Sequence, residues 1–177
     1  MAACREQAER VIVEILRQAD TAGLGKTLLF KAFWLAHLYY AKNARGYLSD
    51  WKIVRMPNGP GIDDAEGLID DLLASGAIVK NHVRKGPYTE INCRLVDAPE
   101  GDLSEDAIEA IRSAVADVKK YSASEISALS HDFSRSWNNT QNGEELNIYS
   151  DLIPDDEYDD QAKEVTELKN TYESLFG

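Results

Sequence analysis

The sequence predicts a mostly α protein of the α+β class: a helical core, one small β-hairpin and further helices C-terminal to it. Two observations predict this. Apolar residues recur at three- and four-residue steps over several separate stretches, the spacing of an amphipathic helix. Only one pair of neighbouring extended runs, Ala77 to Val83 and Tyr88 to Val96, flanks a compact turn, Arg84-Lys85-Gly86-Pro87.

The first helix is expected over 4–19, where Ala8, Val11, Ile12, Ile15, Leu16 and Ala19 share a face. Asp20 to Gly25 breaks it, and a second helix follows from about Lys26 to Asn43. Leu29, Ala32, Phe33, Ala36 and Tyr40 form its stripe, widened by Leu28, Leu35 and Tyr39. A helix apolar over most of its circumference belongs at the centre of a domain, with Phe30 and Trp34 on its flanks. Residues 46–61 are rich in turn formers and are expected to be irregular, with a short extended piece over Trp51 to Met56. A third helix, about Ile62 to Ser75, places Asp63, Asp64 and Glu66 where the helix dipole favours carboxylates, and Gly76 stops it. The hairpin comes next. Three helices followed by a hairpin is the element order of a winged helix.

Asp97 to Asp102 is a linker. A helix from about Leu103 to Lys120 then carries the stripe Ile108, Ile111, Val115 and Val118, with Ser104 as N-cap. Ser122 and Glu125 fit a capping box, which starts a short helix ending near Ser130-His131. Residues 138–147 are polar and expected as loop, and Pro154 to Asp160 as an acidic linker. A last amphipathic helix, about Gln161 to Phe176, presents Val165, Leu168, Tyr172, Leu175 and Phe176.

Composition narrows the function. With 177 residues and 44% hydrophobic content the chain buries a core without disulfide or metal staples. Its two cysteines make no disulfide framework. The net charge of −12 is uneven: residues 1–98 hold 13 basic and 12 acidic side chains, and 99–177 hold 6 and 19. The excess repels phosphate backbones unless the basic groups gather on one face. The most apolar stretch, Leu28 to Ala41, is interrupted by Lys31 and His37 and falls short of the roughly 20 residues a membrane span needs. The first residues lack a signal-peptide pattern, so a cytoplasmic protein without membrane contact is expected.

No catalytic signature emerges, and neither metal nor cofactor is expected. Gly23-Leu24-Gly25-Lys26-Thr27 resembles the end of a phosphate-binding loop, but Asp20 stands where a glycine is needed and a helix precedes; it reads as a turn between helices. His37, His82 and His131 are far apart in sequence, without the paired ligands of a zinc site. The hairpin gathers Lys80, His82, Arg84 and Lys85, which suit a wing touching phosphates. The helix before it carries Asp63, Asp64, Glu66, Asp70 and Asp71, charges unsuited to the major groove. These charges favour protein binding; a winged-helix DNA-binding regulator using Lys80, His82, Arg84 and Lys85 is the alternative.

The order of several motifs resembles the Panacea domain, a family of antitoxins formerly described as phage-associated proteins of unknown function. Thr27 to Phe33 is similar to the helix that opens it, and Gly46 to Trp51 to its next glycine-led segment. Pro57 to Ile62 resembles its glycine-proline element. Ile126 to His131, followed by Trp137, resembles its leucine-serine-x-x-threonine-histidine segment with a downstream tryptophan, and Asn147-Ile148-Tyr149 its ending. Phe33, Gly61 and Ser130 depart from the usual residues. The agreement covers about 8–150.

The resemblance implies one helical domain over 1–150; the hairpin and residues 151–177, read from their own pattern as acidic linker and C-terminal helix, lie outside what it matches. It implies a non-catalytic antitoxin that binds and blocks a toxin encoded beside it; one branch also delivers its toxin to a protease as an adaptor. His131, Trp137, Gly59, Pro60 and Tyr172 are the partner-binding candidates. His131 and Trp137 also read as a helix-end histidine packed on a core tryptophan, and Gly59-Pro60 as a tight turn. The tail helix packs on its own domain, pairs with a second copy in a homodimer, or enters a partner's groove.

Overall fold

The computed structural model describes residues 2–44, 46–98 and 101–159. Helix α1 (Ala2–Gln18) buries Ala8, Val11, Ile12, Ile15 and Leu16 completely. A 3-10 turn over Asp20–Ala22 ends at Gly23, whose φ is +67°. The next two residues, β1 (Leu24–Gly25), pair antiparallel with Cys93 and Asn92. The expected turn between helices is therefore also a sheet edge. A Cβ on residue 23 would lie 2.3 Å from the Cys93 carbonyl oxygen, so both sterics and φ require glycine.

Helix α2 (Lys26–Asn43) is the central helix, packed on α1 and on later elements from several sides. That enclosure corrects one expectation: Trp34 is only 4% exposed and belongs to the core rather than to a flank. The segment expected to be irregular forms a second, two-stranded sheet, β2 (Ile53–Met56) against β3 (Gly59–Ile62), in the register Ile53 with Ile62 and Met56 with Gly59. All four residues of β3 are buried. Ile62 thus ends a strand instead of starting a helix, and α3 spans Ala65–Ala74. The free edge of β2 is taken up from far along the chain: Arg55 N–H donates to the Glu144 carbonyl at 2.9 Å, and Leu146 N–H to Ile53 at 2.8 Å. Residues 143–146, expected as loop, so serve as a partner for β2.

Strands β4 (Ile78–Lys85) and β5 (Tyr88–Leu95) form the expected hairpin, completed to three antiparallel strands in the order β1-β5-β4. Cys93 is fully buried there, a small apolar residue whose thiol burial pushes to higher pKa. The element order is helix, strand, helix, helix, hairpin, with the β2–β3 sheet inserted between α2 and α3.

Helix α4 (Glu105–Val118) starts at Ser104, whose hydroxyl accepts from the Ala107 amide at 3.3 Å, and packs along α2. Helix α5 (Ala123–Phe133) opens with the expected reciprocal Ser122–Glu125 capping box and runs past His131 to Phe133. Ser134 ends α5 and caps α6 (Arg135–Asn139), accepting from Trp137 N–H at 3.1 Å. A 3-10 turn over Ile148–Leu152 packs on α2 and α6. Residues 155–159, read as acidic linker, have helical backbone. The helix expected over Gln161 to Phe176 lies outside the described residues. Among the described residues no helix is long and apolar enough to cross a membrane.

Candidate partner-binding site

Four of the five partner-binding candidates come together where the β2–β3 turn meets α2, α5 and α6. The organising residue is one the sequence showed only as an interruption of an apolar stretch. Lys31, 2% exposed, extends from α2 and donates from Nζ to the Asn58 carbonyl at 2.6 Å and the Pro60 carbonyl at 2.8 Å. Desolvation lowers its pKa to about 7. A neutral amine has two N–H bonds for these two carbonyls, so both protonation states satisfy them.

Gly59 sits between the two acceptors at φ +95°. A Cβ there would stand 2.1 Å from Ser130 Oγ and 2.5 Å from Lys31 Nζ. Pro60 contributes no N–H to the sheet and turns its carbonyl to Lys31. The turn is thus clamped between a lysine of α2 and a serine of α5. Ser130 is itself buried and donates to the Ser127 carbonyl at 2.8 Å.

Trp137 pins α6 to the same turn. Its Nε1–H donates to the Met56 carbonyl at 2.9 Å. The His131 ring stacks on it with centroids 4.0 Å apart and planes 11° from parallel. The Arg55 guanidinium carbon lies 4.3 Å from the ring centroid, within cation–π range. His131 and Trp137 are joined by stacking, and among the described residues the histidine's Nε2 and Arg55 Nε are buried without a hydrogen-bond partner. Behind α6, Asp151 accepts from Ser136 N–H and Ser136 Oγ, each at 2.7 Å, and from Ser134 Oγ at 3.0 Å. Arg135 donates to the carbonyls of Ser150 and Ile153, pairs with Asp155 and lies over Tyr158. Tyr172, the fifth candidate, lies outside the described residues.

His37 occupies a separate buried position. Its ring bonds the Phe33 carbonyl through Nδ1 at 2.8 Å and Ser49 Oγ through Nε2 at 3.0 Å. A carbonyl only accepts, so Nδ1 carries the hydrogen and Ser49 donates to Nε2. Burial lowers the pKa to about 4, which keeps the ring neutral at pH 7. Among the described residues no group of three or more His, Cys, Asp or Glu is placed to hold a metal ion.

The alternative DNA-contacting residues lie on the other sheet, and two of them face carboxylates. Lys80 reaches Asp70 at 3.0 Å and Glu66 at 3.8 Å; Lys85 lies 3.9 Å from Glu90. His82 and Arg84 are exposed on β4, and Arg84 Nε reaches the Gly86 carbonyl at 3.5 Å. Asp71 of α3 and Asp64, its N-cap residue, meet α1, where Arg5 bonds them at 2.6 Å and 3.0 Å.

Lys31, Arg55 and Ser130 join the cluster without having been named as site candidates. In the sequence Lys31 shows as a charge interrupting an apolar stretch and Ser130 as a departure from the family's usual residue; Arg55 leaves no trace.

No curated protein and no solved structure matches the chain. A family model described as "Antitoxin SocA-like, Panacea domain" matches residues 29–138. That span is more than half of the chain; it runs from α2 to α6 and contains the Lys31, Gly59, Pro60, His131 and Trp137 cluster whole. The chain belongs to the Panacea-domain family of SocA-like antitoxins.

Proposed function

We propose that this protein is a non-catalytic antitoxin that neutralises a toxin encoded beside it by direct complex formation. The observation that carries the reading is the family match over the span that holds the clamped turn and its helices. Two further features support it. The buried side chains that a catalyst would draw on, Lys31 and His37, are engaged in internal hydrogen bonds. The acidic excess of the chain suits a protein partner better than a phosphate backbone. The same complex is the form in which an adaptor would hand bound toxin to a protease.

The test is growth. The neighbouring open reading frame is induced alone and then together with this protein. Arrest by the neighbour and rescue by this chain are expected. Rescue should survive Arg84→Glu combined with Lys85→Glu, which reverses the charge at the hairpin tip. A harmless neighbour, or one that stays toxic, rejects the antitoxin reading.

A further inference from the structure

Helices α2, α4 and α5 leave an open groove of about 500 Å³ on the side of α5 that carries Phe133. Trp34, Leu38, Leu129 and Phe133 make it mainly apolar. Phe133, at its edge, is 76% exposed, the most of any large apolar side chain among the described residues. Trp34 lines it and is itself only 4% exposed.

The charged residues that line the groove are carboxylates, Asp117 and Asp151. Asp151 accepts from hydroxyl and amide donors and, among the described residues, forms no ion pair. Asp117 accepts from the Tyr39 hydroxyl at 2.7 Å and pairs with exposed Lys120 at 2.5 Å. The adjoining surface, between α2 and α4, adds Asp106 and Lys42, and Glu109, which pairs with Arg112.

This charge selects among occupants. A second copy docked by the same face would set Asp117 and Asp151 against themselves. Residues 160–177 of the chain bring four carboxylates and two lysines, again the wrong sign. Complementary charge is the usual discriminator between partners of similar apolar content.

We infer that the groove between α2, α4 and α5 is the docking surface for the toxin, and that it takes a segment with an apolar face and flanking Lys or Arg. The inference rests on the antitoxin reading and adds to it the place of contact and the chemistry of the partner segment.

Titration calorimetry of the full chain with the neighbour's product tests it. Phe133 is exposed, so its substitutions leave folding intact; thermal melts check this. Phe133→Ala should weaken the complex about ten-fold, the effect of losing one aromatic contact residue. Phe133→Lys should weaken it more than Phe133→Glu, and the gap should close at high salt. Unchanged affinity for Phe133→Ala and Phe133→Lys, with the wild-type complex intact, overturns the groove and leaves the antitoxin reading standing. A larger loss for the Glu variant overturns the basic character of the partner. Tighter binding after truncation at Asp159 assigns the groove to the chain's own tail, and a wild-type dimer dissociated by Phe133→Glu assigns it to a second copy; either overturns the inference. Absence of any wild-type complex rejects the antitoxin reading and the groove with it.

Discussion

The side chain that Gly59 lacks would fall on the end of Lys31: a Cβ there comes within 2.5 Å of Nζ. The lysine is held by carbonyls one residue to either side of that glycine, so α2 grips the β2–β3 turn by its backbone. Ser130 closes on the same point from α5, 2.1 Å from the same hypothetical Cβ. Three elements distant in sequence are therefore registered on a glycine of positive φ.

Gly59→Ala should destabilise the fold by about 2–4 kcal/mol, from backbone strain together with the clash. Denaturant unfolding measures it. Adding Ser130→Ala removes the hydroxyl and should recover part of the loss. The remainder is the left-handed conformation together with the Lys31 contact, neither of which a change at position 130 relieves. Full recovery in the double variant would place the whole effect in the clash and refute the strain component.

Lys31 gives a pH signature. Its pKa falls from 10.5 in the unfolded chain to about 7 in the fold, because burial disfavours the ammonium. Between those values the unfolded chain binds more protons, so this contribution to stability rises as pH climbs from about 7 to 10.5. Lys31→Met should flatten the stability difference across that window. At pH 10 it should also destabilise by about 1–3 kcal/mol, since the Asn58 and Pro60 carbonyls lose their donor. Parallel pH curves for the two proteins would show that Lys31 is not the titrating group.

His37 has the same sign in a lower window. Its pKa moves from 6.5 to about 4 on folding, with desolvation the main cause. The unfolded state takes up the proton first, so the contribution is fully present above about pH 6.5 and lost as pH falls towards 4. The loss is on the order of 3 kcal/mol. Urea midpoints at pH 7 and pH 4.5 should differ by less in His37→Gln than in the wild type, after correction for its lower overall stability.

Much of the fold was legible because its signals are local. The α2 boundaries follow from turn residues before Lys26 and an apolar run to Asn43, and the α5 start from a capping box that the structure forms as read. The site was legible as a set of residues but not as an arrangement. Gly59 and Pro60 read as a turn because glycine and proline signal turns locally. They belong to a buried strand because β2 is paired on its other side by residues 143–146 and the turn is capped by Lys31, all from distant parts of the chain. Arg55 carried no local mark at all; only the fold brings it over Trp137.

Trp137 offers the separation between packing and partner contact. Its N–H is used by Met56, and its ring is engaged by His131 and Arg55, all within the chain. Trp137→Phe keeps a ring for the stack and removes the 2.9 Å hydrogen bond, so the melt should fall by roughly 2–4 °C, equivalent to about 1 kcal/mol. Trp137→Ala removes the stack as well and should destabilise by about 3–5 kcal/mol, the range for a large aromatic truncation. Toxin affinity, measured at a temperature where the wild type and the Phe variant are both folded, should change less than two-fold in Trp137→Phe. A large loss of affinity in that variant, with stability barely altered, would instead make Trp137 part of the contact surface and extend the interface from the groove across α6 to the clamped turn.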